Sequence, residues 1–546
     1  MKLKIHTFLF AFIHLVCFGQ NNYQSPLDIP LELAANFGEL RPHHFHMGLD
    51  FKTKGKEGFN IRSIQKGYVS RVKISRSGYG KMIQIAHPNG QSSVYAHCQS
   101  FKGKIDSLVK EIQRREQNEE IEIYFSENEI VVERGQIIAI SGNTGGSTAP
   151  HLHFELRETA TDDALNPLLH GFFIPDHKAP TVKSLKIYAL TKEGFTIPGK
   201  TLLIPLTPAK NGVTTVAEQI VLPADFCRQN GQIGFAIDAF DQFDNSANKC
   251  GIFSTELFVN SELQFHSKLA QIGFDATRDI NCHMDHGEFL KGNDFHKLYQ
   301  TEENELDITS ISKGIIALHP GENLVLKIVV GDAKKNSSTI HFKLQVPSIL
   351  LSEKSIFNEE DYYFPGQAIT LSTEAIHFSA KAHTLYEPIR KNDFQAEKLI
   401  FGSSSIPLQQ SYDLLFKKAQ SNKSYLQVRS EKNGRKVESL YPLAQMSLAQ
   451  PTNLGPMLIL QDLTPPTIKP IVLSGPMLKW TAFDSETSLA DYDLYVDGEW
   501  QLLEYESKLD LLFYKKSNLK MSAHSIKIVL VDALGNTTNW EQILSY

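Results

Sequence analysis

The chain has 546 residues, of which 41% are hydrophobic and 21% are charged, and its formal net charge is −6. At about 150 residues per domain, this length predicts three or four domains. The composition excludes a mostly disordered chain, a collagen and a polytopic membrane protein. A weakly acidic chain has no general basic field, so we expect no nucleic-acid partner.

The N-terminus has the pattern of a secretory signal peptide. A basic start precedes an apolar run from Phe8 to Phe18, and Cys17 and Gly19 are the small residues before a cleavage point. The run is shorter than the roughly 20 apolar residues of a membrane span. We therefore predict removal of residues 1–19 and no transmembrane span in the mature chain. It would be exported to the periplasm or cell envelope, or secreted.

The five cysteines are too sparse for a disulfide scaffold. Cys227 and Cys250 could pair in an oxidising compartment, or both could be small buried hydrophobic residues. Lipidation of Cys17 would need a small residue before it, and Val16 is not small.

Residues 20–175 are rich in glycine and histidine, and their short β-branched and aromatic runs alternate with turn signals. This pattern predicts an antiparallel β domain. One segment differs, because Ile105–Gln117 has its apolar residues at helical spacing. We expect a helix there, within an insert at about 103–128.

An internal echo follows residue 175. Asp176–Lys183 resembles Asp462–Lys469, and Lys327–Asn336 resembles Lys527–Asn536. Each unit opens with a proline-containing linker and closes with a strand and an Asp…Asn turn. The echo predicts β-sandwich modules of immunoglobulin-like type, and we find no catalytic constellation in them.

The sequence thus predicts a mainly β chain in several parts. These are a signal peptide (1–19), an antiparallel β domain with a helical insert (20–175), one long or two short β-sandwich modules (176–346), a β module (347–461) and a C-terminal immunoglobulin-like module (462–546).

Two histidines are separated by one residue at the end of a glycine-rich loop. On a strand, His151 and His153 would point to one face and Leu152 to the core. Two imidazoles side by side on an exposed face are a natural start to a Zn²⁺ site.

A third histidine stands near a carboxylate. His46 and Asp50 are four residues apart, and Gly48 between them would allow the backbone to bend so that they converge. With His153, they would give Zn²⁺ three ligands and leave the fourth position open, as in catalytic sites.

The segments around these residues resemble the lysostaphin-type zinc endopeptidases, metallopeptidase family 23. The resemblance includes the segments Gly67-Tyr-Val, Gly78-Tyr-Gly80, His87-Pro-Asn-Gly90, Tyr95-Ala-His97, Ser141-Gly-Asn-Thr-Gly145 and His151-Leu-His-Phe-Glu155. It implies one Zn²⁺ per chain, held by His46, Asp50 and His153. It further implies that His97 and His151 are unligated catalytic histidines.

The resemblance implies an exported endopeptidase that hydrolyses peptide cross-links of peptidoglycan through a metal-activated water. Glycine bridges and direct cross-links both fit as the bond that is cut, and the oligomeric state stays open. The modules after residue 175 look like the C-terminal extensions of exported members from Bacteroidota-like bacteria.

Two other functions stay open. A catalytically silent LytM-like protein could bind the wall or activate other hydrolases, with its groove blocked by the insert. Alternatively, residues 176–546 could form an adhesin or scaffold. All five family positions are kept, which favours catalysis.

Two cysteine segments need a separate interpretation. Cys98 stands where the family usually has an aliphatic residue, and it is either a reactive thiolate beside His97 or a core residue. The segment from Cys282 to His286 crowds four candidate ligands into five residues, which favours a polar loop or edge strand over a metal site.

Overall fold

The computed structural model describes residues 23–207, 213–226, 231–308, 312–348, 357–432, 435–443, 447–516 and 522–545. The predicted signal peptide and Cys227 lie outside these ranges. The predicted mainly β fold is confirmed. In the described part of the chain, no helix has both the length and the apolar character needed to cross a membrane.

Short strands and one long helix build the N-terminal domain. They are β1 (Leu33–Ala35), β2 (Leu40–Arg41), β3 (His44–Phe45), β4 (Leu49–Lys52), β5 (Asn60–Arg62), β6 (Gly67–Ile74), β7 (Lys81–Ala86), β8 (Gln91–Ala96), β9 (Cys98–Phe101), α1 (Gly103–Glu116), β10 (Ile121–Tyr124), β11 (Val131–Val132), β12 (Ile137–Ser141), β13 (His151–Glu158) and β14 (Ala164–Leu165).

The main sheet of this domain is antiparallel and has the order β1-β4-β13-β8-β7-β6-β10. A second sheet, β5-β12-β9, packs with it around a common apolar core. Strand β13 lies between β4 and β8, so three segments that are far apart in the sequence become neighbours in the sheet.

The predicted helix is confirmed as α1. It begins at Gly103, which has a φ of +60°, and its C-cap Gln117 is left-handed. Ile105 and Val109 are buried on one face, and both belong to the core of the N-terminal domain. Burial of this apolar stripe is what holds an otherwise polar helix against the sheets.

Among its described residues, the rest of the chain is built almost entirely of strands, with two short α-helices and several single-turn 3-10 helices. They are β15 (Thr181–Leu190), β16 (Thr196–Pro205), β17 (Val213–Val221), β18 (Gln232–Phe240), β19 (Ser254–Val259), β20 (Glu262–Lys268), β21 (Gln271–Ile272), α2 (Ile280–His283), α3 (His286–Phe289), β22 (Phe295–Lys297), β23 (Ile316–Ala317), β24 (Asn323–Gly331), β25 (Ser337–Gln345), β26 (Tyr362–Tyr363), β27 (Ile369–Ser372), β28 (Ile376–Ala380), β29 (Ile389–Arg390), β30 (Phe394–Gln395), β31 (Ile400–Phe401), β32 (Asp413–Phe416), β33 (Ser424–Lys432), β34 (Arg435–Pro442), β35 (Leu448–Ala449), β36 (Gly455–Gln461), β37 (Thr467–Val472), β38 (Met477–Phe483), β39 (Leu489–Val496), β40 (Glu499–Gln501), β41 (Glu504–Glu506), β42 (Leu511–Lys515), β43 (Ala523–Asp532) and β44 (Thr537–Ser545).

These strands form pairs of packed sheets. The first pair is β16-β15-β18-β22 and β17-β25-β24-β19-β20, and the last pair is β37-β38-β42-β41 and β40-β39-β43-β44. The apolar core of the N-terminal domain continues into the segment that follows it, where Phe243, Leu269 and Ile308 are buried in the same cluster. Strand β14 also pairs with β21.

The last module docks on the N-terminal domain. Lys81 forms an ion pair with Glu504, and Arg76 donates hydrogen bonds to backbone carbonyls of the last module. The buried carboxylate of Glu119 accepts hydrogen bonds from the Tyr492 hydroxyl and the Tyr505 backbone N–H. We call these contacts the docking interface.

Glu119 should make the docking interface pH-dependent. Burial raises the pKa of Glu119 to about 7, despite its hydrogen bond from Tyr492. A raised folded-state pKa gives stability that is complete below the unfolded pKa and is lost as pH rises through about 7. We expect the temperature of the first thermal unfolding transition to decrease as the pH rises from about 5 to about 8. Glu119→Gln should make this transition temperature less dependent on pH. Glu116→Gln, at an exposed position on α1, is the control and should preserve the pH dependence.

Candidate metal centre and active site

The sheet register brings the predicted site residues together. In the pairing of β13 with β4, His153 lies opposite Asp50, and in the pairing with β8 it lies opposite Ala96. His97 follows directly after β8, and His46 lies in the turn between β3 and β4. Side chains on one face of neighbouring strands are a few ångströms apart, so the pairing alone places these residues at one point.

Gly48 is needed in this turn for a reason other than the one the sequence indicates. Its φ is not in the left-handed region, so the backbone bend does not depend on glycine. A Cβ at this position would instead lie 2.3 Å from the carbonyl oxygen of Phe154. Only glycine lets the turn that carries His46 approach β13 this closely.

Three ligand atoms converge within hydrogen-bond distance of one another. His46 Nε2 lies 3.1 Å from Asp50 Oδ1 and 3.1 Å from His153 Nδ1, and His153 Nδ1 lies 2.9 Å from Asp50 Oδ1. Ligands of a tetrahedral Zn²⁺ are about 3.3 Å apart, given metal distances of about 2.0–2.1 Å. The separations therefore fit a single small cation.

In each imidazole, the nitrogen that faces away from the three converging atoms, here called the outer nitrogen, fixes the tautomer. It thereby decides whether the inner nitrogen presents a lone pair. His46 Nδ1 lies 2.7 Å from the backbone carbonyl of Asn36, which can only accept, so this nitrogen carries the hydrogen. His153 Nε2 lies 2.8 Å from Glu155 Oε1 and donates to it in the same way. When the two rings are neutral, both inner nitrogens are therefore acceptors that face a carboxylate, which is the donor set of a metal site.

The charges at this point favour a cation. Burial opposes ionisation of Asp50, yet the three histidines around it hold its pKa well below the usual range. Burial likewise disfavours a charged His153, but hydrogen bonds to Asp50 and Glu155 raise its pKa to about 9. In the metal-free protein the protonated His153 therefore balances the Asp50 carboxylate, and a metal ion would take over this positive charge.

His97 and His151 lie beside the three ligand residues. The centroids of their rings are 4.7 Å apart, and His151 Nε2 is 3.4 Å from Asp50 Oδ1. His97 Nδ1 donates to the carbonyl of Thr144, and His151 Nδ1 donates to the carbonyl of Ala149. Burial, together with His153 and His151, lowers the pKa of His97 to about 3, so its Nε2 is a neutral acceptor.

A buried charged layer supports His153 from the side away from Asp50. Glu155 is fully buried and accepts hydrogen bonds from His153, from the Tyr79 hydroxyl at 2.6 Å and from Arg157 Nε at 2.7 Å. Burial would raise the pKa of Glu155, but Arg157 and His153 lower it to about 2. A carboxylate held in this way fixes the tautomer and orientation of a ligand histidine.

The sequence patterns do not predict this layer. Its signal was the two-residue period of β13, which places His151, His153, Glu155 and Arg157 on one face of the strand. The prediction that Leu152 faces the core is confirmed, because it is fully buried. The predicted exposed face for the histidines is wrong for His153, which is only 6% exposed since neighbouring strands cover it.

The glycine-rich loop before β13 connects this site to the last module. Ser147 Oγ lies 2.6 Å from Asn143 Oδ1 and 3.1 Å from His151 Nδ1. Lys508 of the last module donates hydrogen bonds to the carbonyls of Asn143 and Ser147.

A groove with a volume of about 830 Å³ runs between this loop, α1 and the last module. Its lining includes Thr144 and Thr148 from the loop and Val109 and Lys110 from the helix. The docking interface therefore forms one side of a cleft that reaches the loop preceding His151.

The other expected candidates are core residues. Cys98 is fully buried, and burial raises the pKa of its thiol to about 12, so the core interpretation holds. The Tyr95 hydroxyl accepts a hydrogen bond from the Ile64 N–H on the core side of β8. The segment from Cys282 to His286 is not a loop or edge strand, since it lies in α2 and the start of α3, largely buried. Cys98, Cys250 and Cys282 are buried free thiols.

The sequence profile of Peptidase family M23 matches residues 44–121 and 119–167. The N-terminal domain belongs to peptidase family M23. The matched residues contain all five candidate site residues.

Two curated relatives and one solved structure are similar to this M23 domain. An uncharacterized metalloprotease of Haemophilus influenzae is 32% identical over 131 residues, covering 24% of this chain and 21% of the relative. The DD-carboxypeptidase/endopeptidase Mpg of Neisseria meningitidis serogroup B is 30% identical over 118 residues, covering 22% and 21%. The catalytic domain of the antimicrobial peptidase lysostaphin from Staphylococcus simulans is 25% identical, covers 27% of this chain and 92% of its own, and has a TM-score of 0.18. The chain thus spans about a fifth of the length of the curated relatives it matches.

Glu155→Gln should weaken metal binding without removing a ligand. The amide keeps the shape of the side chain but lacks the charge that holds His153 as a donor at Nε2. Loss of such a supporting group typically costs about 10–100-fold in metal affinity. Competition with a fluorescent zinc chelator measures the affinity. Glu158→Gln, at the end of the same strand, is the control, and equal affinities for the two variants would contradict the supporting role.

Proposed function

We propose that the protein is an exported zinc-dependent endopeptidase that hydrolyses peptide cross-links of peptidoglycan. The observation that carries the proposal is the convergence of two imidazole lone pairs and one carboxylate, with two further histidines beside them. The M23 domain and its similarity to the DD-carboxypeptidase/endopeptidase Mpg and to the glycyl-glycine endopeptidase ALE-1 of Staphylococcus capitis support the substrate class. The proposed export rests on the N-terminal sequence pattern.

The chain would hold one Zn²⁺ through His46, Asp50 and His153. When bound, the metal would supply a Lewis acid and lower the pKa of a water from 15.7 towards about 7. Two nitrogens and one oxygen suit Zn²⁺, because imidazole and carboxylate are both ordinary zinc ligands.

His97 and His151 would handle protons and the developing charge on the substrate. Burial keeps His97 neutral, so its Nε2 can accept a hydrogen bond from the attacking water. His151 is less buried than His97 and has its Nε2 near Asp50, a position from which it could carry a proton to the leaving amine. The carbonyls of Thr144 and Ala149 hold both rings with Nε2 directed inward.

The groove beside the glycine-rich loop is the proposed route for the peptide. It is lined by lysines from both domains, including Lys81, Lys110 and Lys508, alongside carboxylates such as Glu504. In this proposal α1 borders the groove rather than blocking the histidines, which distinguishes the enzyme from a silent binding protein.

The proposal is tested with the mature full-length protein and purified peptidoglycan. We expect release of peptide fragments, measured by mass spectrometry, that stops with a zinc chelator and returns when Zn²⁺ is added. Protein that binds peptidoglycan but releases no fragments at any Zn²⁺ concentration would support the activator function instead.

Two substitutions separate metal binding from proton transfer. His153→Ala should abolish both zinc retention and hydrolysis, because it removes a ligand. His97→Ala should keep zinc and lose about 10²–10⁴-fold in rate, the usual contribution of a general acid or base. Metal analysis and turnover measure the two effects, with His44→Ala as the control at an exposed histidine. Normal turnover by His153→Ala would refute the assignment.

A further inference from the structure

Two modules far apart in the chain carry the same group of three aspartates. Each group takes one residue from the linker that enters the module, one from the end of a strand and one from a hairpin turn. The groups are Asp176, Asp241 and Asp332 in the first module and Asp462, Asp484 and Asp532 in the last. In both groups, one ligand atom from each residue lies within 4.8 Å of the other two.

The strand-end residues are equivalent by position. Asp241 follows Ala-Phe at the end of β18, and Asp484 follows Ala-Phe at the end of β38. In each module this strand pairs with the strand that follows the linker, β15 in the first and β37 in the last.

The hairpin-turn residues are equivalent by their hydrogen bonds. Asn336 Nδ2 donates to Asp332 Oδ2 at 2.7 Å and to the Asp176 carbonyl at 3.3 Å. In the last module, Asn536 Nδ2 donates to Asp532 Oδ2 at 2.7 Å, and also to the carbonyl of the linker aspartate at 3.1 Å. The same construction occurs twice, so the grouping of carboxylates is a property of the module.

Charge is poorly compensated in the first of these groups. Asp176 and Asp241 are only 8% and 2% exposed, and Asp176 Oδ2 and Asp241 Oδ1 are buried oxygens with no hydrogen-bond donor in the described part of the chain. The nearest lysines point elsewhere, since Lys178 donates to the Phe243 carbonyl and Lys334 lies over the ring of Phe173.

The energetic consequence is visible at Asp241. Burial and the neighbouring Asp176 and Asp332 raise its pKa to about 8. In the last module, Asp484 Oδ2 is likewise buried without a donor among the described residues. Buried carboxylates without a paired cation or donors are costly, and such groups are normally paired or coordinate a metal.

We propose that each group of three aspartates binds one Ca²⁺ ion. The ligands are hard carboxylate oxygens, which suit Ca²⁺ rather than a metal that prefers nitrogen or sulfur. Mg²⁺ demands near-ideal octahedral geometry and keeps several waters, which a group this buried does not readily supply.

Calcium would connect three separate parts of each module at the point where the chain enters it. In the last module this point also touches the preceding one, because the Asp462 N–H donates to the Lys423 carbonyl and Lys423 Nζ donates to the Leu534 carbonyl. The bound ion would therefore stiffen the junction that holds the last module, and with it the docking interface.

The test uses full-length protein, stripped of metal and reloaded with one equivalent of Zn²⁺, and measures ⁴⁵Ca binding by equilibrium dialysis. We expect two Ca²⁺ per chain. Asp241→Asn and Asp484→Asn should each bind one, and the double variant none. Asp244→Asn is the control for the first group, because this aspartate pairs with His177 at the surface, and it should bind two.

Thermal unfolding distinguishes a variant that has lost only its calcium site from one that has failed to fold. Without Ca²⁺, Asp241→Asn should unfold at or above the wild-type temperature, because the substitution removes a buried charge from an oxygen that has no donor. With Ca²⁺, the wild type should gain stability and the double variant should not. Absence of calcium binding, or two ions bound by the double variant, would overturn the proposal. An equal gain from Mg²⁺ at the same concentration would overturn the choice of calcium.

Discussion

The close approach of three acceptor atoms is the constraint on which the N-terminal domain depends. His46 Nε2, Asp50 Oδ1 and His153 Nδ1 lie 2.9–3.1 Å apart, and all three are acceptors when the rings are neutral. Such an arrangement is stable only with positive charge at its centre, from a proton or from a metal ion. The rest of the domain keeps these atoms in place.

The surrounding groups act through the outer nitrogens of the histidine rings. A backbone carbonyl accepts from His46, His97 and His151, and the Glu155 carboxylate accepts from His153. Each acceptor fixes one tautomer and one ring orientation, so the inner nitrogens face the same point. Arg157 in turn keeps Glu155 ionised in a fully buried position.

The C-terminal modules are connected to this centre rather than independent of it. The last module pairs Glu504 with Lys81 and holds the glycine-rich loop through Lys508, and that loop carries Ser147 beside His151. The groove beside this loop is therefore shared between segments 365 residues apart, because both Asn143 and Lys508 line it. The aspartate groups at the module entries lie where they would control the rigidity of this arrangement.

The sequence by itself determined the mainly β fold, helix α1 and the family of the N-terminal domain, because strand periodicity, helical spacing and motif order are local properties. It also singled out the five residues that the fold brings together. Tertiary structure alone decided the burial of His153, the close approach at Gly48 and the charged layer of Glu155, Arg157 and Tyr79. It alone decided that the last module borders the groove. These features depend on strand pairing and domain packing between segments far apart in the chain, and no local pattern encodes such distances.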